Sequence, residues 1–310
     1  MYLVMQCPHC GFSAEFDQDF FDPAYLRERV RPFSKHASWH DYEVLVALAE
    51  EPDPTTLITA ARAMAKCHDG EVLALHIGTD EHPGVTVLER SMTLGDLSVP
   101  LVPVVRMGER VDEIIISAAR DYHVDRLLLG WRGTSRTRGV FLGSTLDYVV
   151  AHAPCDVIVV KDRGWPAPLQ RILVPAAGGP NSQLALEVAG ELAQQSGAAV
   201  TGLYVESPGR DEASHKKARG VLDAQMKALP EEITSTLAVE QGQDVVRTIL
   251  QAAADHDLTI IGATQEGLFQ QLMFGNVPER IARENPQTTF MVKRHAPLRR
   301  WLRRVFGTRS

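Results

Sequence analysis

Long apolar runs are missing from this sequence of 310 residues, and cysteine, aromatic side chains (6%) and any excess of basic charge are scarce. Crossing a bilayer as a helix takes about 20 consecutive apolar residues, and no stretch here approaches that length. Residues 1–20 have neither the basic start nor the apolar centre of a secretory leader. The expected location is therefore cytoplasmic, at most peripheral to the inner face of the membrane. Four cysteines, with Cys67 and Cys155 each standing alone, make no disulfide framework and suit a reducing compartment. A formal net charge of −7 argues against a general nucleic-acid binder. Catalytic signatures are absent as well: there is no Gly-x4-Gly-Lys-Ser/Thr, no His-Glu-x2-His and no Gly-x-Ser-x-Gly. Eleven histidines are scattered, and His76 and His123, the two nearest to expected strand ends, read as packing or surface residues. The sequence reads as non-enzymatic.

What the chain does contain is a duplication. Glu43-Val44-Leu45-Val46 returns as Arg171-Ile172-Leu173-Val174, and Leu73-Ala74-Leu75-His76-Ile77 as Thr201-Gly202-Leu203-Tyr204-Val205, both 128 residues on. Leu128-Leu129-Gly130 returns as Ile260-Ile261-Gly262, and Val159-Val160-Lys161 as Met291-Val292-Lys293, now 132 residues on. A four-residue insertion accounts for the change. Glycine and prolines at Gly164-Trp165-Pro166-Ala167-Pro168 mark the seam. Within each half, short apolar strands alternate with amphipathic helices, the pattern of a parallel sheet with right-handed crossovers. In the first half strands are expected at 43–49, 71–77, 99–105, 126–130 and 156–160, with helices near 54–68, 109–122 and 144–152. The expected organisation is an N-terminal extension (1–38), two α/β domains (39–163 and 169–295) and a basic tail (296–310).

The densest local signal is Gly130-Trp131-Arg132-Gly133, then nine residues, then Gly143-Ser144-Thr145. Arg126-Leu127-Leu128-Leu129 is the run of a strand covered on both faces, and Gly130 ends it. Ser144 followed by Asp147 resembles a capping box opening a helix at Gly143 or Ser144. A helix N-terminus offers unpaired N–H groups and about half a positive charge, which suits a phosphate. Arg132, Arg136 and Arg138, with no acid between the glycines, add to that bias. The alternative is that the glycines only permit a tight turn and the arginines form a solvated face.

Gly-x2-Gly-x9-Gly-Ser/Thr resembles the nucleotide-binding signature of the universal stress protein family, matched here at every fixed position. Leu129-Gly130-Trp131-Arg132-Gly133 with Ala153-Pro154-Cys155-Asp156-Val157 is similar to the stress-protein domains attached to amino-acid permeases. The resemblance implies two tandem doubly wound α/β domains, each a five-stranded parallel sheet in the order 3-2-1-4-5. It implies ATP or AMP bound through Gly130, Arg132, Gly133, Gly143, Ser144 and Thr145, and a possible homodimer. Typical ATP-binding members carry an Asp just after the first strand, against the adenine. Here Ala49 stands at that place, and Ala177 in the second half, with Glu50, Glu51 and Asp53 the nearest acids. In the second half the signature decays to Gly262-x4-Gly267-x7-Gly275-Asn276: the outer glycines keep their separation, the arginines are gone and Glu266 has appeared. That copy reads as structural, packing on the first half, with a retained site for another ligand as the alternative.

The two ends differ from the body. Cys7-Pro8-His9-Cys10-Gly11 resembles a zinc-ribbon knuckle, half a zinc site that needs other ligands; an unliganded pair and a redox pair are the alternatives. Residues 297–310 place Leu298, Trp301, Leu302, Val305 and Phe306 on one helical stripe with four arginines opposite, suited to an anionic membrane surface or a membrane transporter, or to packing on the acidic body. Seven basic residues and no acids lie in 293–310, which leaves −14 on the rest of the chain. The expected function is a non-catalytic nucleotide-binding regulator of stress response or transport. The rivals are a nucleotide-independent docking module and a slow ATPase.

Overall fold

The computed structural model describes residues 2–6, 13–17, 42–49, 53–78, 85–132, 143–206, 208–209, 211–227, 229–263 and 276–295. Near the N-terminus β1 (Tyr2–Gln6) and β2 (Ser13–Asp17) pair antiparallel, with Gln6 opposite Ser13. Cys7 and Cys10 fall outside the described residues, as do Arg136, Arg138 and the tail 296–310.

The first half runs β3 (Glu43–Leu48), α1 (Thr55–Lys66), β4 (Glu71–Gly78), α2 (Val85–Met92), β5 (Leu101–Met107), α3 (Val111–Asp121), β6 (Arg126–Gly130), α4 (Ser144–His152), β7 (Asp156–Lys161). The second half repeats it as β8 (Arg171–Pro175), α5 (Pro180–Ser196), β9 (Ala199–Glu206), α6 (Glu212–Met226), β10 (Ser235–Gln241), α7 (Val245–Ala253), β11 (Leu258–Gly262), α8 (Asn276–Glu284), β12 (Thr288–Lys293). Local chemistry sets several of the bounds. Asp211 accepts the Ser214 N–H at 2.6 Å to cap α6, and Asp244 accepts those of Val246 and Arg247 to cap α7. Pro180 occupies the first turn of α5, and Gly197 ends it in the left-handed region at φ +76°.

Each half has the expected strand order, and the two sheets are continuous. One ten-stranded sheet runs β10-β9-β8-β11-β12-β7-β6-β3-β4-β5, parallel within each half and antiparallel where β12 meets β7. Both joining strands have a buried apolar centre, Val157–Val160 and Phe290–Val292, so pairing them covers two edges that would otherwise stand open. Val159 lies opposite Met291, its counterpart 132 residues on, so a local two-fold axis passes between them.

Helices cover both faces of this sheet. One buried layer joins Ile58 of α1, Val87 of α2, Leu184 of α5 and Leu222 of α6; the other joins Ile115 of α3, Val149 of α4, Ile249 of α7 and Ile281 of α8. Both layers extend through the two halves.

Two elements depart from expectation. The short helix α2 stands where no helix was expected, with Val87 and Leu88 buried in the first of these layers. Strand β5 starts at Leu101, not at 99. Asp96 accepts the Ser98 N–H at its side chain and the Val99 N–H at its carbonyl, drawing those residues into a turn.

Candidate functional site

In the first half the chain leaves β3 toward β4 on one side and toward β6 on the other, so the carboxyl ends of β3 and β6 flank the point where strand order reverses. Ligands of doubly wound sheets bind at such a point. Gly130 ends β6 there, exposed, and the crossover from β6 through α4 to β7 brings the N-terminus of α4 to the same edge of the sheet.

Gly130 is not demanded by packing. Among the described residues, a Cβ added to it meets only Leu57 Cδ1 at 3.5 Å, an ordinary contact. Gly143 is demanded by conformation, since its φ of +123° lies in the region that side chains avoid. As the N-cap it has no side chain to offer, so the first-turn N–H groups of α4 receive no side-chain cap. Ser144 and Thr145 follow, both exposed. The capping-box reading is off by one residue: the cap is Gly143, so Asp147 falls a position too late and is buried instead.

Beyond Gly130 the backbone is pinned. The Trp131 N–H donates to the Val160 carbonyl at 2.8 Å, and Lys161 Nζ donates to the Arg132 carbonyl at 3.0 Å. Burial, with Arg163 nearby, holds the Lys161 amine below its usual range. Arg132 itself is exposed. The structure thus brings Gly130, Arg132, Gly143, Ser144 and Thr145 to one edge, while Gly133 lies outside the described residues.

Just past β3, where the family resemblance expects an Asp, stands Ala49, exposed. Asp53 is already engaged: its carboxylate caps Thr55, accepting from N–H at 2.9 Å and Oγ1 at 2.6 Å, and pairs with Arg90. These partners, the Thr55 hydroxyl foremost, lower its pKa. Glu50 and Glu51 lie outside the described residues. His76 is buried with Nδ1 3.1 Å from the Leu48 carbonyl, and His123, exposed, sits in the turn after α3 at φ +52°.

At the equivalent edge of the second half, α5 packs against the end of β11. Asn181 Nδ2 donates to the Ala263 carbonyl at 2.8 Å, and Asn181 Oδ1 accepts the Arg294 N–H at 2.9 Å. The Arg294 guanidinium pairs with Asp156 at 3.3 Å and Glu187 at 2.6 Å. Gly262 is needed for this approach, since a Cβ there would lie 2.7 Å from the Asn181 backbone. The repeat pattern does not reveal this packing, because Asn181 and Arg294 are ordinary residues outside the glycine signature.

Among the described residues no cluster of three or more His, Cys, Asp or Glu side chains could hold a metal, and no helix is long and apolar enough to cross a membrane.

The sequence profile described as the universal stress protein family matches residues 87–161 and again 168–293. Over 190 residues the chain is 27% identical to a universal stress protein of Mycobacterium tuberculosis, covering 55% of this chain and 64% of that protein. Over 262 residues it is 24% identical to the Na(+)/H(+) antiporter NhaS5 of Synechocystis sp., covering 78% of this chain and 37% of the antiporter. The chain thus spans little over a third of one relative and less than two thirds of the other. A universal stress protein structure from Archaeoglobus fulgidus shares the fold, with a TM-score of 0.59 at 18% identity over 83% of this chain and 97% of that one. With two successive profile matches and two halves folded alike, the chain belongs to the universal stress protein family, in tandem form.

Proposed function

We propose that the chain is a non-catalytic regulator whose first half binds ATP or AMP at the carboxyl end of β6. The observation that carries this reading is the start of α4: a glycine at φ +123°, no side-chain cap, and Ser144 and Thr145 exposed at the strand-order reversal. Phosphate oxygens there accept the first-turn N–H groups and the two hydroxyls, with the Arg132 charge alongside. Gly130 lets the ligand approach the backbone, and Gly133, Arg136 and Arg138 join the site through the signature spacing. With Ala49 beyond β3, the phosphates supply most of the affinity and the base little.

The test is a thermal melt with and without nucleotide. ATP or AMP raises the melting temperature of the natural chain and leaves Gly143→Asp unmoved, because a side chain at that φ distorts the cap and its carboxylate repels phosphate. Equal shifts in both chains, or none in either, contradict the reading.

The likeness to an antiporter favours a second reading, in which the chain works within a membrane transport system and docks through 297–310. Under that reading anionic liposomes bind the chain in low salt and release it in high salt, and deletion of 297–310 abolishes binding. Zinc on Cys7 and Cys10 is part of the same proposal, tested by metal analysis of the purified chain.

A further inference from the structure

The two-fold relation makes the two ends of the β7–β12 junction comparable contact by contact. At one end the Arg163 N–H donates to Thr288 Oγ1 at 2.9 Å; at the other the His295 N–H donates to Asp156 Oδ1 at 2.7 Å. Asp147 on α4 and Glu279 on α8 are counterparts, and both are buried. One departure from this symmetry is an aromatic–cation pair. Trp131 and Arg283 stand at the first half's end, where their counterparts at the other end are Ala263 and Ala151.

This asymmetric pair lies where the first half's signature lies. The Arg283 guanidinium, from the second half, sits 5.5 Å from the Trp131 ring centre, and the Lys161 ammonium sits 5.8 Å from it. Arg283 is itself aimed: Glu279 Oε1 accepts from its Nη2 at 2.6 Å, and its carbonyl accepts from Arg163 Nη2 at 3.4 Å. Trp131 is 4% exposed and lies between Gly130 and Arg132, so whatever fixes the indole fixes the direction in which the backbone leaves β6.

We propose that Arg283 is a positioning residue for the first half's phosphate site, acting through Trp131, so that the second half sets the affinity of the first. This rests on the nucleotide-binding reading above. A guanidinium held over the indole adds to the two hydrogen bonds that hold Trp131 and Arg132, fixing their orientation before the ligand arrives. Without it part of that orientation must be set on binding, and affinity falls. A planar guanidinium does this better than an ammonium, which places a point charge where the stacked plane had been.

The experiment titrates ATP into the full chain by calorimetry, with melting temperatures recorded in parallel, for the natural chain, Gly143→Asp, Arg283→Gln and Arg283→Lys. Both Arg283 variants are expected to bind ATP about fivefold more weakly, the size of one cation–π contact, while the melting temperature falls in Arg283→Gln and less in Arg283→Lys, which keeps a cation for Glu279. A Trp131→Leu background is expected to remove any further effect of Arg283→Gln. Natural affinity in Arg283→Gln overturns the inference while Gly143→Asp still reports on the site. Full rescue by Arg283→Lys, or an undiminished effect in Trp131→Leu, also overturns it, by assigning Arg283 a direct charge effect on the phosphates. A natural chain that binds no ATP overturns the inference together with the reading beneath it.

Discussion

Gly130 and Gly262 hold equivalent positions at the ends of β6 and β11 and answer to different constraints. Gly262 is required by the approach of α5, whose Asn181 backbone leaves no room for a Cβ, whereas among the described residues Gly130 has only Leu57 within reach of one. Alanine at 262 is therefore expected to destabilise the protein by about 1–3 kcal/mol in denaturant melts. At 130 it is expected to change stability by less than about 0.5 kcal/mol while weakening ATP binding. Equal losses at both positions would show that packing alone selects these glycines. Lys293 gives a second test at this scale. Burial lowers its amine from 10.5 to about 8, and Nζ donates to the Val150 carbonyl at 2.6 Å. Between about 8 and 10.5 the unfolded chain holds more protons than the folded one, so this group makes stability rise with pH across that window. Urea melts at increasing pH are expected to show the rise in the natural chain and to lose that share of it in Lys293→Met; an identical slope in both would refute the assignment.

At the scale of elements, the halves are held together by more than the β7–β12 ladder. Glu191 of α5 pairs with Arg126 at the start of β6 and lies 2.9 Å from His68 Nε2, and Tyr42 stacks on His68 at 4.1 Å. Arg126 is 5% exposed, so removing its carboxylate partner leaves a buried charge uncompensated. Glu191→Ala is expected to lower stability by about 3 kcal/mol; a loss below about 1 kcal/mol would make the pair incidental. Most of the elements themselves were legible in the sequence. Continuous apolar runs such as Leu127-Leu128-Leu129 admit little besides a doubly covered strand, and β6 and α4 fall where expected. Helix α2 was illegible because it is short and only part of one face is apolar. The start of β5 was misplaced because Val99 is apolar by composition yet drawn into the turn at Asp96.

For the whole molecule, the duplication foretold two similar sheets but not their fusion into one, since the fifth strand of each half reads the same whether its edge is open or paired. Fusion uses both of those edges within one chain. It also places each half's carboxyl edge beside the other half's amino edge, so that Arg294 reaches Asp156 on one side and Arg283 reaches Trp131 on the other. The signature glycines mark the edge proposed as the site, but neither the Asn181 contact with Ala263 nor the Arg283 contact with Trp131 carries a sequence mark, because both join residues distant in the chain. The account therefore predicts one site per chain, in the first half. Calorimetric titration of the full chain with ATP tests this directly. One ATP per chain, abolished by Gly143→Asp, is the predicted result; two per chain, none, or binding that survives Gly143→Asp would contradict it.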